Sequence, residues 1–219
     1  MSIRFPASWP GDDLDGYRSR GRFLPIESLP PLDGKAFDGS FSWFAEHGDV
    51  SQGDAAEIRE LTRALGVLGL DLPEDFATFH EHRELRNSFN NGCYWTHISR
   101  PLPSPVEPDA YIVRFLRDQQ DCVIFYLYLR LSGESFIVHS YELNEHLDYL
   151  DPDEPWADEE PELDVDDLIS CIHWCAPTFE EFAYRWLIEG QIICVINNTD
   201  GTFDAEQRAY LSHYVTAVT

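Results

Sequence analysis

The sequence predicts an α+β fold: a central antiparallel β-sheet meander flanked by helices, set on one face, with an N-terminal arm. Three observations lead there. Helically spaced apolar residues occupy 54–82 and recur over 178–214, and strand-like runs fill 111–141 between them. The turns joining those runs are too short for crossover helices, so neighbouring strands must be antiparallel. Fourteen Phe, ten Tyr and six Trp within 43% hydrophobic residues supply a sizeable core.

Residues 1–52 are rich in Pro and Gly and show no sustained period, yet they carry Trp9, Phe23, Phe41, Trp43 and Phe44. They read as an arm that packs aromatics onto a body formed by 53–219. From Asp54, DAAEIRELTRALGVLGL places Ile58, Leu61, Leu65 and Leu68 on one helical face, with Gly66 and Gly69 near its end. LPEDFATFHEH starts a second helix. There Asp71 is positioned to cap, Pro73 suits the first turn, Glu74 and Asp75 complement the helix dipole, and Phe76 and Phe79 face inward.

Tyr111–Leu116 reads as a strand, and CVIFYLYLRL as the next. Val123, Phe125, Leu127, Leu129 and Leu131 point to one side. Cys122, Ile124, Tyr126, Tyr128 and Arg130 point to the other, an amphipathic face suited to partial cover. Ser132-Gly133-Glu134 turns the chain into a third strand, Ser135–Tyr141, and Cys93–Ile98 offers a fourth. CIHWCAP is expected to enter a helix that Thr178 and Glu181 open as a capping box, with Phe179, Phe182, Ala183 and Trp186 as its apolar stripe. Past Gly190, Gln191–Ile196 fits either the last turns of that helix or a short buried strand. Asp204 with Gln207 opens a final helix bearing Leu211 and Tyr214.

Charge narrows the function classes. Fifteen Lys plus Arg against forty Asp plus Glu gives a formal charge of −25. That balance argues against direct nucleic-acid binding, which needs cations to displace counterions, and against docking on an anionic membrane. No window approaches the roughly 20 apolar residues of a membrane span, and the first residues lack a signal-peptide pattern. A soluble, cytoplasmic protein is expected, with Cys93, Cys122, Cys171, Cys175 and Cys194 as buried small hydrophobes. Lys35 is the only lysine.

Metal and covalent chemistry find little support. Cys171, His173 and Cys175, with His80 and His82, tempt a zinc reading but lack the two paired halves of a structural site. The acidic stretch DPDEPWADEEPELDVDD has proline where a calcium loop needs glycine. Glycine-rich phosphate loops and the nucleophile elbow are missing from the sequence. His97, His139, His146 and His213 read as core-edge or surface groups. No catalytic residue, metal or cofactor is expected.

The compositional break between Glu145 and Asp167 is the candidate binding site. Twelve acids lie there without one Lys or Arg, and Pro152, Pro155 and Pro161 forbid a continuous helix. Asp148, Asp151, Asp153, Glu154, Asp158, Glu159, Glu160 and Glu162 would steer a basic protein partner, with Trp156 as a desolvated anchor. The competing reading is a solvated loop that only raises solubility.

The order of these pieces resembles the SUKH superfamily, bacterial immunity proteins related to a fungal cell-wall-synthesis regulator. The matching stretches are Leu72-Pro73-Glu74-Asp75-Phe76 with Phe79, the Asp118–Cys122 entry to the long strand, and Phe179-Glu-Glu-Phe182, together spanning about residues 55–190. Asn91-Gly92 lies later than that family's usual Asn-Gly, and the arm and acidic insertion fall outside its pattern. The resemblance implies a non-catalytic immunity protein that binds and neutralises a cognate polymorphic toxin, often a nuclease or nucleotide-modifying domain. Two other functions compete: an acidic DNA-mimic or scaffold for basic host proteins, and a small metal-dependent hydrolase using the acidic loop.

Overall fold

The run IFYLYLR lies at the centre of the molecule, buried at every position. The structure is a computed structural model that describes residues 3–11, 13–14, 17–18, 21–32, 34–45, 47–90, 93–120, 122–140, 142–143, 164–198 and 201–216. In chain order the strands are β1 (Ser8–Gly11), β2 (Gly21–Pro25), β3 (Tyr94–Thr96), β4 (Leu102–Pro103), β5 (Ala110–Asp118), β6 (Ile124–Arg130), β7 (Ser135–His139) and β8 (His173–Ala176). The helices are α1 (Gln52–Val67), α2 (Glu74–Glu81), α3 (Arg83–Asn87), α4 (Val165–Cys171), α5 (Phe179–Ile196) and α6 (Ala205–Thr216).

Six strands form one antiparallel sheet in the order β3-β5-β6-β7-β8, with β4 also paired to β5. The α+β meander flanked by helices is therefore present. Alternation along β6 divides the core: Phe125, Leu127 and Leu129 face α1, α2 and α5, while Ile124, Tyr126 and Tyr128 face the other side.

That second face departs from the expectation of partial cover. Ile3, Phe5, Leu102, Val106, Leu143 and, from α4, Leu168 close over it. Helices thus lie on both faces, because a strand with Ile and Tyr on its second side also has apolar surface to bury. Arg130 reaches the rim of this layer and pairs there with Glu107 at 2.9 Å and Glu134 at 2.6 Å.

Ser51 caps α1 through its side chain, and the helix buries Ala55, Ile58, Leu61 and Leu65. It stops where Gly69 takes φ +77 and the Leu70 amide returns to the Leu65 carbonyl, a closure that a side chain at 69 would strain. Asp71 does not cap α2. Pro73 stands at its N-cap position with no side-chain hydrogen bond, while Asp75 in the first turn accepts from the Phe76 amide at 2.8 Å.

CIHWCAP leads into α5 at Phe179 as expected, but by way of a short strand. It leaves α4 at Cys171 and becomes β8, pairing Val138 with Trp174 and His139 with His173. Thr178 accepts from the Glu181 amide at 3.2 Å, as its spacing predicted. α5 runs on through Gly190 to Ile196, settling the alternative at Gln191–Ile196 as helix. Asp204 and Gln207 exchange backbone-to-side-chain bonds at 2.8 and 3.0 Å to open α6.

β1 and β2 pair as a ribbon, and Ala7 bridges Trp174 beside β8, so the ribbon prolongs the sheet edge. Trp9 and Phe41 are fully buried, whereas Phe23 is 45% exposed. Among the described residues, no helix is long and apolar enough to cross a membrane.

Candidate functional site

Two carboxylates on α5 fasten the arm. Glu180 accepts from the Gly39 amide at 2.6 Å, the Phe41 amide at 2.8 Å and Trp43 Nε1 at 3.0 Å. This convergence holds Phe41 at φ +53, a left-handed backbone that bulky residues avoid. The Glu180 amide donates to Asp75 Oδ2 at 3.0 Å, so the arm and the starts of α2 and α5 meet at one point.

About two and a half turns on, Glu189 accepts from Trp9 Nε1 at 3.0 Å, from both Arg18 terminal nitrogens at 2.7 and 2.8 Å, and from the Tyr210 hydroxyl at 2.6 Å. Arg18 also donates to Tyr214, and Arg185 to Tyr210. Burial opposes the Arg18 charge, but the Glu189 carboxylate outweighs it and raises the guanidinium pKa. Burial, followed by the Glu189 charge, pushes the Tyr210 hydroxyl well up. α6, α5 and the arm are locked together by a fork-shaped ion pair of good geometry.

Beside this clasp opens a groove of about 620 Å³. Its walls are Trp43 and Phe44 of the arm and Tyr184, Leu187 and Ile188 of α5; Glu84, Asp204 and Glu206 supply negative charge. Trp43 meets both Tyr184 and Phe44 edge-on, at 5.2 and 6.0 Å between ring centres. Lys35 places its ammonium 4.4 Å from the Tyr184 ring centre and pairs with Glu206, which also accepts from the Tyr184 hydroxyl at 2.7 Å. Burial works against ionisation of Glu206, and the hydrogen bonds from Lys35 and Tyr184 overcome it, so its pKa falls. Burial first, then the bond to Glu206, raises the Tyr184 hydroxyl. The arrangement suits a cation: aromatic faces beside carboxylates.

The histidines occupy less accessible ground. His139 Nε2 lies 3.2 Å from Ser8 Oγ, and its ring stacks on His173, which stacks on Phe23. Burial, with the His173 charge second, pushes His139 down to about 3. An imidazole that weak draws no proton from a serine near neutral pH. His80 is fully buried among Phe76, Phe79, Phe115 and Phe179, with no hydrogen-bond partner on either ring nitrogen. His82, two residues on, bonds instead to the Gly48 carbonyl, so the pair does not converge.

Among the described residues, no three His, Cys, Asp or Glu side chains group as metal ligands. The cysteines correct the sequence reading: Cys175 is buried and Cys171 half-buried, but Cys93, Cys122 and Cys194 are exposed. Cys93 and Cys194 line a second cavity of about 460 Å³ between β3 and the end of α5.

Asp148, Asp151, Asp153, Glu154, Trp156, Asp158, Glu159, Glu160 and Glu162 lie outside the described residues, as do His146 and Asn91-Gly92. The flanks of the acidic stretch are described. Leu143 and Leu168 both pack on the sheet face away from α5, opposite the groove. The groove residues were missed from sequence because they come from four separate stretches. The single lysine and the adjacent Trp43-Phe44 were the available signal, but neither names Glu206 as a partner. Compared with known protein families, with curated proteins and with solved structures, the chain gives no match.

Proposed function

We propose that this protein is a non-catalytic, cytoplasmic immunity protein of the SUKH kind, which binds and neutralises a basic toxin domain. The observation that carries the reading is the disposition of charge. Of 15 basic residues against 40 acidic ones, Arg18, Arg86, Arg130 and Lys35 are paired with carboxylates of the chain itself. The surplus of acid is left for a partner. Toxins that act on nucleic acids or nucleotides carry basic clefts for polyanionic substrates, and a −25 surface is their electrostatic complement.

The geometry of the resembling motifs supports the same reading. Asp75 of LPEDF binds the Glu180 amide of FEEF, and Phe76 and Phe79 pack on Phe179 at 4.9 and 5.1 Å. The stretch from Asp118 forms the β5–β6 connection, where Asp118 accepts from the Val123 amide at 3.1 Å. Stretches far apart in sequence thus form one framework.

Co-expression with the product of the adjacent reading frame tests the proposal. The expected result is a stable complex on purification and protection of cells from that product. Binding without protection would favour a scaffold for basic proteins, and neither binding nor protection would overturn the assignment.

A further inference from the structure

We propose that the groove between Trp43-Phe44 and α5 receives an arginine side chain of the basic partner, and that Lys35 is a built-in cation standing in at its edge. The inference rests on the reading of a basic protein partner and says where that partner docks. The walls combine what a guanidinium needs. Trp43 and Phe44 offer ring surface, Leu187 and Ile188 an apolar floor for the methylene stem, and Glu84, Asp204 and Glu206 carboxylates for the fork.

Lys35 shows that a cation is accepted there. The one lysine of the chain lies over Tyr184 and pairs with Glu206. The pair is loosely held, because the Lys35 side chain is 32% exposed and that of Glu206 48%. Ion pairs this open are strengthened over solvent by no more than a factor of about five. A guanidinium that stacks and pairs bidentately outcompetes such an ammonium. The volume of about 620 Å³ is that of a ligand site and accommodates a whole arginine side chain.

The test uses the full chain and a defined probe, acetyl-hexaarginine amide, titrated by calorimetry at physiological salt while the indole N–H signal of Trp43 is followed by NMR. The expected results are saturable binding, a shift of the Trp43 signal, and weaker binding of acetyl-hexalysine amide. Lys35→Met should tighten hexaarginine binding about three- to fivefold by removing the internal competitor. Glu84→Gln with Glu206→Gln should weaken it about tenfold, and glutamine keeps an acceptor for Tyr184. Gain on one substitution and loss on the other cannot both come from misfolding. Hexaarginine binding that leaves Trp43 unmoved and is indifferent to all three substitutions overturns the groove, while the basic-partner reading survives. Equal affinity for hexalysine overturns the guanidinium assignment. Failure of the reading itself shows separately, as failure of the adjacent gene product to copurify.

Discussion

His80 and Glu189 are both buried titratable groups, and the protein treats them in opposite ways. His80 is surrounded by phenylalanine and makes no hydrogen bond. Glu189 receives donors from Trp9, Arg18 and Tyr210. The difference follows from what each group can shed. An imidazole in a core gives up its proton and becomes neutral, and burial lowers the His80 pKa well below normal for that reason. Glu189 sits against a permanently charged guanidinium, so that pair is stable only with geometry that satisfies both ions. One region therefore tolerates neglect, and the other depends on completeness.

The largest predicted effect breaks the complete side. Glu189→Ala removes the carboxylate that both Arg18 terminal nitrogens meet in the core, which should lower unfolding stability by about 3–5 kcal/mol in a denaturant titration. Replacing both partners together, Arg18→Met with Glu189→Met, should lose much less, because two charges then leave the core at once. A double variant as damaged as Glu189→Ala would show that the network contributes more than ion pairing.

The neglected side is exposed by acid. The unfolded chain takes up a proton on each histidine as pH falls through about 6.5, whereas folded His139 resists until about 3. Stability from these groups is complete above 6.5 and is lost as pH falls below it. At pH 5 the loss through His139 alone is about 2 kcal/mol. His80 adds to the slope in the same direction. His80→Leu should remove its share of the slope and raise stability at neutral pH by about 1 kcal/mol, since no polar group is then left unpartnered.

Two smaller changes calibrate the scale. Thr178→Ala removes the cap of α5 and should cost about 1 kcal/mol in thermal unfolding. Arg86→Ala, which breaks part-buried pairs with Asp54 and Glu57, should cost about 1 kcal/mol and less in high salt.

What the sequence made legible was local. Ile58, Leu61 and Leu65 share a helix face, Phe125, Leu127 and Leu129 a strand face, and Thr178 and Asp204 cap their helices, because each relation is written within a few residues. Misreadings came where distant structure decided. CIHWCAP reaches α5 as expected but first forms β8, because β7 offered an edge, and the Tyr126 side of β6 is buried because Phe5 and Leu168 arrive to cover it. The site divides likewise. The acidic stretch is plain in composition, whereas Glu206, Tyr184 and Lys35 meet across more than 140 residues and leave no periodic trace.

Capture of a basic partner by surplus acid is most directly tested by association kinetics at two salt concentrations, using the product of the adjacent reading frame. For the wild type, association should slow steeply as salt rises. Neutralising Asp158, Glu159 and Glu160 together should slow association at low salt and flatten that dependence, while Trp156→Ala should instead speed dissociation roughly thirtyfold, the ratio for about 2 kcal/mol at an interface hot spot. Association that is indifferent to salt, and unchanged in both variants, would contradict the account.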